Sequence, residues 1–412
     1  MTSTMLLYII LGILTADFLL ERFLEFLNHK KWSPILPKAL EGIYDQEKYS
    51  QSQNYQKDKL MPSLISSGLG FIATVLMISL GGFAWVDEFV RNYFEHPITI
   101  ALAFFGVILF FSSLLGLPFS YYSTFVIEEK YGFNRTSLKT FVLDKLKGGL
   151  LSIVIGGGIL ALLIWIYLQT TTNFWWMAWL VIAFFMIFMA MFYSSLLVPL
   201  FNKQTPLEDG ELKDEISRFA GKVDFKLDNV YVMDGSKRSS KGNAYFSGLG
   251  SKKRIVLFDT LINDLTKEEI VAVLAHEIGH YKKKHTLSGI FLSLLQTGLM
   301  FYIFSLIIAN PLLSEALGAK QQGFHLGLIA FGILYSPIST FLGLGMNILS
   351  RKNEYEADDY ALKNYDGKAL GDALKKLSVS SLSNLTPHPV YVFFYYSHPS
   401  LLQRLKALQL IK

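Results

Sequence analysis

The chain has 412 residues, a net charge of +5 and no cysteine. The missing thiols exclude disulfides, thiolate metal sites and cysteine nucleophiles, and so small a net charge points away from a nucleic-acid partner. Apolar residues make up 51% and charged ones 17%, where a soluble domain has about a quarter, so the composition is that of a multi-pass membrane protein with a sizeable soluble part.

A bilayer takes about 20 apolar residues per spanning helix. Seven segments meet that length: 5–27, 63–86, 97–120, 149–169, 174–200, 287–310 and 323–346. The first carries Asp17, Glu21, Arg22 and Glu25 and lacks the basic start and small-residue cleavage site of a removable signal. It reads as a retained helix whose polar residues face a bundle interior or a wet cavity, with an interfacial amphipathic helix as the alternative. Small residues at Gly156, Gly157 and Gly158 mark close helix packing. Lys and Arg number 6, 5, 15 and 9 in the segments after helices one, three, five and seven, against 1, 0 and 1 after helices two, four and six. That split places the N-terminus outside and the odd-numbered loops and C-terminal tail in the cytoplasm.

Four regions follow: helices 1–5 in 1–200, a soluble segment at 201–286, helices 6–7 in 287–346, and a C-terminal soluble segment at 347–412 that packs with the first. The 201–286 segment opens with a polar helical pattern at 211–223, followed by β-rich runs at 229–233, 243–246 and 254–258 between Gly- and Ser-rich turns. Thr266 and Glu269 form a capping box. It starts the helix that carries His276-Glu277-Ile278-Gly279-His280. Residues four apart share a helix face, so both histidines can hold one zinc ion, while Glu277 can take a proton from a water that the metal acidifies.

A catalytic zinc usually takes three protein ligands. His285 lies five residues beyond His280, off the shared face, beside Lys282, Lys283 and Lys284. It reads as a solvated or headgroup-facing residue. Lys283 and Thr286 occupy the positions where the metzincin pattern needs glycine and histidine. Glu354 and Asp358, four apart in an acidic run just after helix seven, are better placed. Helices six and seven bring His280 and this run out of the membrane on the same side and at similar depth. Glu354 is therefore the expected third ligand. Asp358 is expected to accept a hydrogen bond from a ligand histidine and so to fix its tautomer.

These features, together with the run Phe125 to Asn134, Leu200-Phe201-Asn202-Lys203, Asn243-Ala244-Tyr245-Phe246 and Tyr396-Ser397-His398-Pro399-Ser400 with Arg404, resemble the seven-helix zinc endopeptidases typified by the type I CAAX prenyl protease. The likeness covers most of the chain. It implies a mainly α integral membrane protein whose helices enclose a chamber, closed at the cytosolic end by an α+β, gluzincin-like HExxH domain. It further implies removal of C-terminal residues from prenylated peptides, a substrate strand pairing at Asn243 and Ala244, and His398 and Arg404 holding substrate and stabilising the transition state. The expected partners are a peptide or protein substrate, prenylated or otherwise membrane-associated, and the bilayer. The expected cofactor is one Zn2+. Compactness suggests a bacterial inner membrane.

Three alternatives make different demands. A heat-shock-type quality-control protease shares HExxH and Glu-x-x-x-Asp but has fewer spans. A site-2-type protease would put HExxH inside a span, whereas here the motif follows a charged, capped helix start. A lipid-binding transporter or receptor with structural zinc would fill all four metal positions with protein ligands and has no need of Glu277.

Overall fold

A computed structural model describes residues 1–33, 35–170, 173–225, 230–250 and 253–411. Helix α1 (Ser3–His29) starts where the Thr2 hydroxyl accepts from the Met5 amide at 3.2 Å. The second helix, α2 (Gln46–Ser79), begins seventeen residues before the expected 63 and is capped by Asp45. Its polar first half had hidden it: Tyr49, Ser52, Gln53 and Tyr55 are buried, and Ser52 and Gln56 donate to the carbonyl of Leu382. It also ends early, because Gly81 sits in the left-handed region (φ 68°) and turns the chain into a separate helix, α3 (Gly82–Arg91).

Next come α4 (Pro97–Tyr122), prolonged by a π-helical turn over Ser123–Glu128, then α5 (Leu138–Leu151), a second π turn over Ser152–Gly156, α6 (Gly157–Thr170) and α7 (Phe174–Leu196). The soluble part follows with β1 (Gln204–Pro206), α8 (Glu211–Lys222), β2 (Val230–Met233), β3 (Ala244–Ser247), β4 (Arg254–Phe258), α9 (Asp259–Asp264) and α10 (Lys267–Lys282). The short β1 has no periodic signal in the sequence. Asn229, expected at the start of a strand, lies outside the described residues. After α10 come α11 (His285–Ile307), α12 (Leu312–Glu315) and α13 (Phe324–Asn364), then α14 (Gly367–Ser380), α15 (Pro389–Tyr395) and α16 (Leu401–Ala407). Instead of ending near 346, α13 runs on unbroken past Glu354 and Asp358.

Seven helical stretches are long and apolar enough to cross a membrane. They touch in the order α1, α2, α4, α6, α7, α11 and α13, and α13 returns to α1, so the spans close into a ring. Only 6–28% of the residues in their apolar windows are buried, so most of that surface is left uncovered by protein. Apolar helix surface left bare by protein in this way is what a bilayer covers.

The sheet has the order β1-β2-β4-β3, with β2 and β4 parallel and the other pairs antiparallel. Ile255 and Leu257 of β4 are fully buried against Val271, Ala272 and Ala275 of α10, with Ala361 of α13 and Ala373 of α14 completing the core. This core holds α10 and α13 together beneath the membrane ring. β3 is an open edge.

Candidate metal centre

Helix α10 is fixed at its start by the reciprocal Thr266–Glu269 cap, and Lys376 donates to the Glu269 carboxylate at 2.8 Å. Most residues from Glu269 to Gly279 are buried, and Gly279 packs tightly against α13. A methyl group on Gly279 would lie 3.1 Å from Tyr360 Cβ and 3.2 Å from Ala357 Cα and its carbonyl oxygen. One turn before Ala357, Glu354 faces the two histidines.

The Nε2 atoms of His276 and His280 stand 3.1 Å apart. Glu354 Oε1 lies 3.2 Å from His280 Nε2, and Oε2 lies 3.5 Å from His276 Nε2. These three side chains form the one His/Asp/Glu cluster suited to a metal ion among the described residues. The spacings fit a cation: ligands about 2.0–2.1 Å from a common tetrahedral centre are about 3.3 Å apart. Glu354 Oε2 is buried with no hydrogen-bond partner among the described residues, an arrangement that a cation would satisfy.

The outer nitrogens of both histidines are engaged. Asp358 Oδ1 lies 2.8 Å from His276 Nδ1, so a proton held there leaves Nε2 with its lone pair toward the cluster. Arg404 of α16 donates to both oxygens of Asp358, at 2.9 and 2.6 Å, and its own side chain is mostly covered. Its remaining nitrogen is 3.5 Å from Glu354 Oε2. Arg404, expected against the substrate, thus sits behind the ligands, where it positions Asp358 and Glu354. Burial alone would lower the His276 pKa, but hydrogen bonds to Asp358 and Glu354 outweigh it and raise the value to about 9.

His285 is not solvated. It is buried, its Nδ1 lies 3.0 Å from His280 Nδ1, and its Nε2 lies 3.2 Å from Glu356. With His280 donating to His285 and His285 donating to Glu356, the Nε2 of His280 is also left free as a ligand. The off-face expectation assumed a continuous helix. Lys284 adopts φ 61°, which breaks α10 from α11 and swings residue 285 back toward the site. A run of three lysines followed by a histidine carries no sequence signal for such a break.

Glu277 is half-buried and lines a cavity of about 300 Å3 with Phe246, His280, His285, Met346 and Asn353. His398 is largely exposed and approaches Glu354 Oε1 to 3.3 Å, lining a second cavity of about 550 Å3. On β3, the Phe258 amide donates to the Asn243 carbonyl, so residues 243 and 245 bond inward. Ala244 and Phe246 therefore turn their backbone groups to the open edge. Among the described residues, the Ala244 amide is met by the exposed Asn243 side chain alone, at 2.9 Å.

Residues 25–203 match the family model described as the CAAX prenyl protease N-terminal region with five membrane helices, and residues 206–412 match peptidase family M48. CAAX prenyl protease 1 of Saccharomyces cerevisiae is 36% identical, with 98% of this chain and 95% of the yeast protein covered. The human CAAX prenyl protease 1 homolog is 34% identical over 92% of this chain and 89% of its own length. The crystal structure of S. mikatae Ste24p superposes with a TM-score of 0.92 at 36% identity, covering 98% of this chain and 99% of that one.

Proposed function

Because the chain belongs to peptidase family M48, as a multi-pass membrane metalloprotease of the CAAX prenyl protease type, we propose that His276, His280 and Glu354 hold one zinc ion for cleavage of prenylated C-terminal peptides. The observation that carries this reading is the meeting of two imidazole nitrogens and a buried carboxylate, at 3.1–3.5 Å from one another, beside a cavity lined by Glu277. When bound, the metal supplies Lewis acidity, which acidifies a water and polarises the scissile carbonyl.

The side chains do the rest. Glu277 takes the proton from the attacking water and passes it to the departing amine. His398, 3.3 Å from Glu354 Oε1, donates to the developing oxyanion. Asp358 and Arg404 hold His276 and Glu354 in place, and His285 with Glu356 holds His280. The open edge of β3 receives the substrate as an added strand at Ala244 and Phe246, with the Asn243 side chain giving way; main-chain hydrogen bonds of this kind tolerate varied sequences.

The Lys and Arg distribution supports an outside N-terminus with the site on the cytoplasmic face. Compactness, the ground for expecting a bacterial inner membrane, does not carry that location, since the chain covers 95% of the yeast relative. The transporter reading has no use for a carboxylate placed like Glu277. The test is incubation of the purified chain with a farnesylated CAAX peptide and mass analysis of the products. The expected cut lies three residues from the C-terminus, is abolished by a chelator and returns with zinc. An intact peptide with metal-loaded protein contradicts the proposal.

A further inference from the structure

Two cavities flank the ligand cluster, and they differ in chemistry. The one beside Glu277 opens among Met346, Leu349 and Gly289, which belong to the membrane helices α13 and α11. The one beside His398 is lined by two lysines, Lys59 and Lys241, and by hydroxyl and amide groups of Ser381, Ser383 and Asn384, with no carboxylate among its described lining residues.

The charges around this second cavity do not balance. Glu128, at the end of the π turn after α4, is the acid paired with Lys241, while Glu354 approaches His398, which also lines the cavity, at 3.3 Å. One of its oxygens accepts from the Tyr55 hydroxyl at 2.5 Å and the other from Lys241 Nζ at 2.9 Å. Lys59 makes no ion pair or hydrogen bond among the described residues; its ammonium only rests over the Tyr55 ring, 4.9 Å from the centroid. One carboxylate thus serves two cations, and the surplus charge faces the cavity. The polar wall is fixed in advance: Ser52 and Gln56 of α2 hold the Leu382–Ser383 carbonyls at 3.1–3.2 Å.

We propose that Lys59, supported by Lys241 and the Asn384 amide, forms a subsite for the free C-terminal carboxylate of the peptide substrate. The assignment rests on the prenyl-peptide reading above. A lipidated C-terminal tetrapeptide is apolar at the residue before the scissile bond and anionic three residues later. The apolar end belongs in the cavity walled by membrane helices, the anionic end in the basic cavity past His398. Three extended residues span about 10 Å, and His398 and Lys59 line the same cavity. The subsite would act as a gauge: a peptide anchored by its terminus presents the bond three residues back to Glu277. A charge-assisted hydrogen bond of this kind corresponds to about 10- to 100-fold in affinity.

The experiment compares a farnesylated peptide ending in a free carboxylate with the same peptide ending in a carboxamide, using the metal-loaded, full-length protein. In the wild type, amidation is expected to lower kcat/KM by about 10- to 100-fold, mainly through KM. Lys59→Gln should lose most of that preference, and Lys59→Arg should keep it. As a check independent of variant folding, the free tripeptide acid should inhibit the wild type more strongly than its amide. Equal wild-type rates on acid and amide, or an unchanged preference in Lys59→Gln, overturn the subsite and leave the metalloprotease reading standing. Failure to cut the farnesylated acid three residues from its end overturns the prenyl-peptide reading, and the subsite with it.

Discussion

Gly279 is where the two ligand-bearing helices touch, and replacing it with alanine tests whether that contact sets the metal geometry. The added methyl would meet Tyr360 Cβ at 3.1 Å and two backbone atoms of Ala357 at 3.2 Å, so it has no flexible side-chain tip to push aside. Helix α10 must back away from α13 by a few tenths of an ångström. Two energies oppose each other. Alanine favours an isolated helix over glycine by about 1 kcal/mol, while overpacking a tight interface costs about 1–3 kcal/mol. The net effect on global stability is therefore small, about 0–2 kcal/mol. Metal binding is less forgiving, because ligand distances must hold within about 0.2 Å, and the displacement separates Glu354 from both histidines at once. Gly279→Ala is expected to weaken zinc affinity at least about tenfold, close to 1.4 kcal/mol. Competition against a chelating dye measures the affinity, and circular dichroism checks that the fold is kept. If Gly279→Ala binds zinc and cleaves peptide as the wild type does, the interface does not set the site.

The other predictions follow from the same geometry. Glu277→Gln should bind zinc as tightly as the wild type and lose about 10²- to 10⁴-fold in kcat, since the proton acceptor goes while the ligands remain; an unchanged kcat removes Glu277 from the mechanism. His285→Ala should weaken zinc binding by about 10- to 100-fold by freeing the His280 ring, and unaltered affinity would make the His285–Glu356 pair a packing feature only. The His276 pKa, raised to about 9, sets a pH dependence. Below the ordinary value of 6.5 the imidazolium fully stabilises the zinc-free protein, and this contribution is lost as pH rises through about 9. Zinc must displace that proton, so its apparent affinity should rise with pH up to about 9, by about tenfold per unit for one proton. Affinity flat from pH 6 to 8 would show that His276 binds no proton in the zinc-free state.

The local features were legible in the sequence. The capping box, the HExxH helix and three of the four strands obey short-range rules of hydrogen bonding and side-chain period. Glu354 could be read because the membrane does the long-range work: two spanning helices deliver distant segments to one depth. Helix boundaries were less legible where polar residues are buried against other protein. Half of α2 looked like a loop because Tyr49, Ser52, Gln53 and Tyr55 pack against the loop after α14. The extension of α13 was hidden behind Ser350, Arg351 and Lys352, whose charge signals a membrane exit without ending the helix. His285 was misplaced because a single left-handed residue, Lys284, redirects the chain, and no residue type there requires that conformation. Arg404 was assigned from resemblance alone, and its partner Asp358 is evident only in three dimensions.

The most direct test of the account is anomalous scattering from crystals of the zinc-loaded protein, recorded on both sides of the zinc edge. The account predicts one strong peak within bonding distance of His276 Nε2, His280 Nε2 and the Glu354 carboxylate. A peak elsewhere, or one at the histidines with Glu354 turned away, would contradict it.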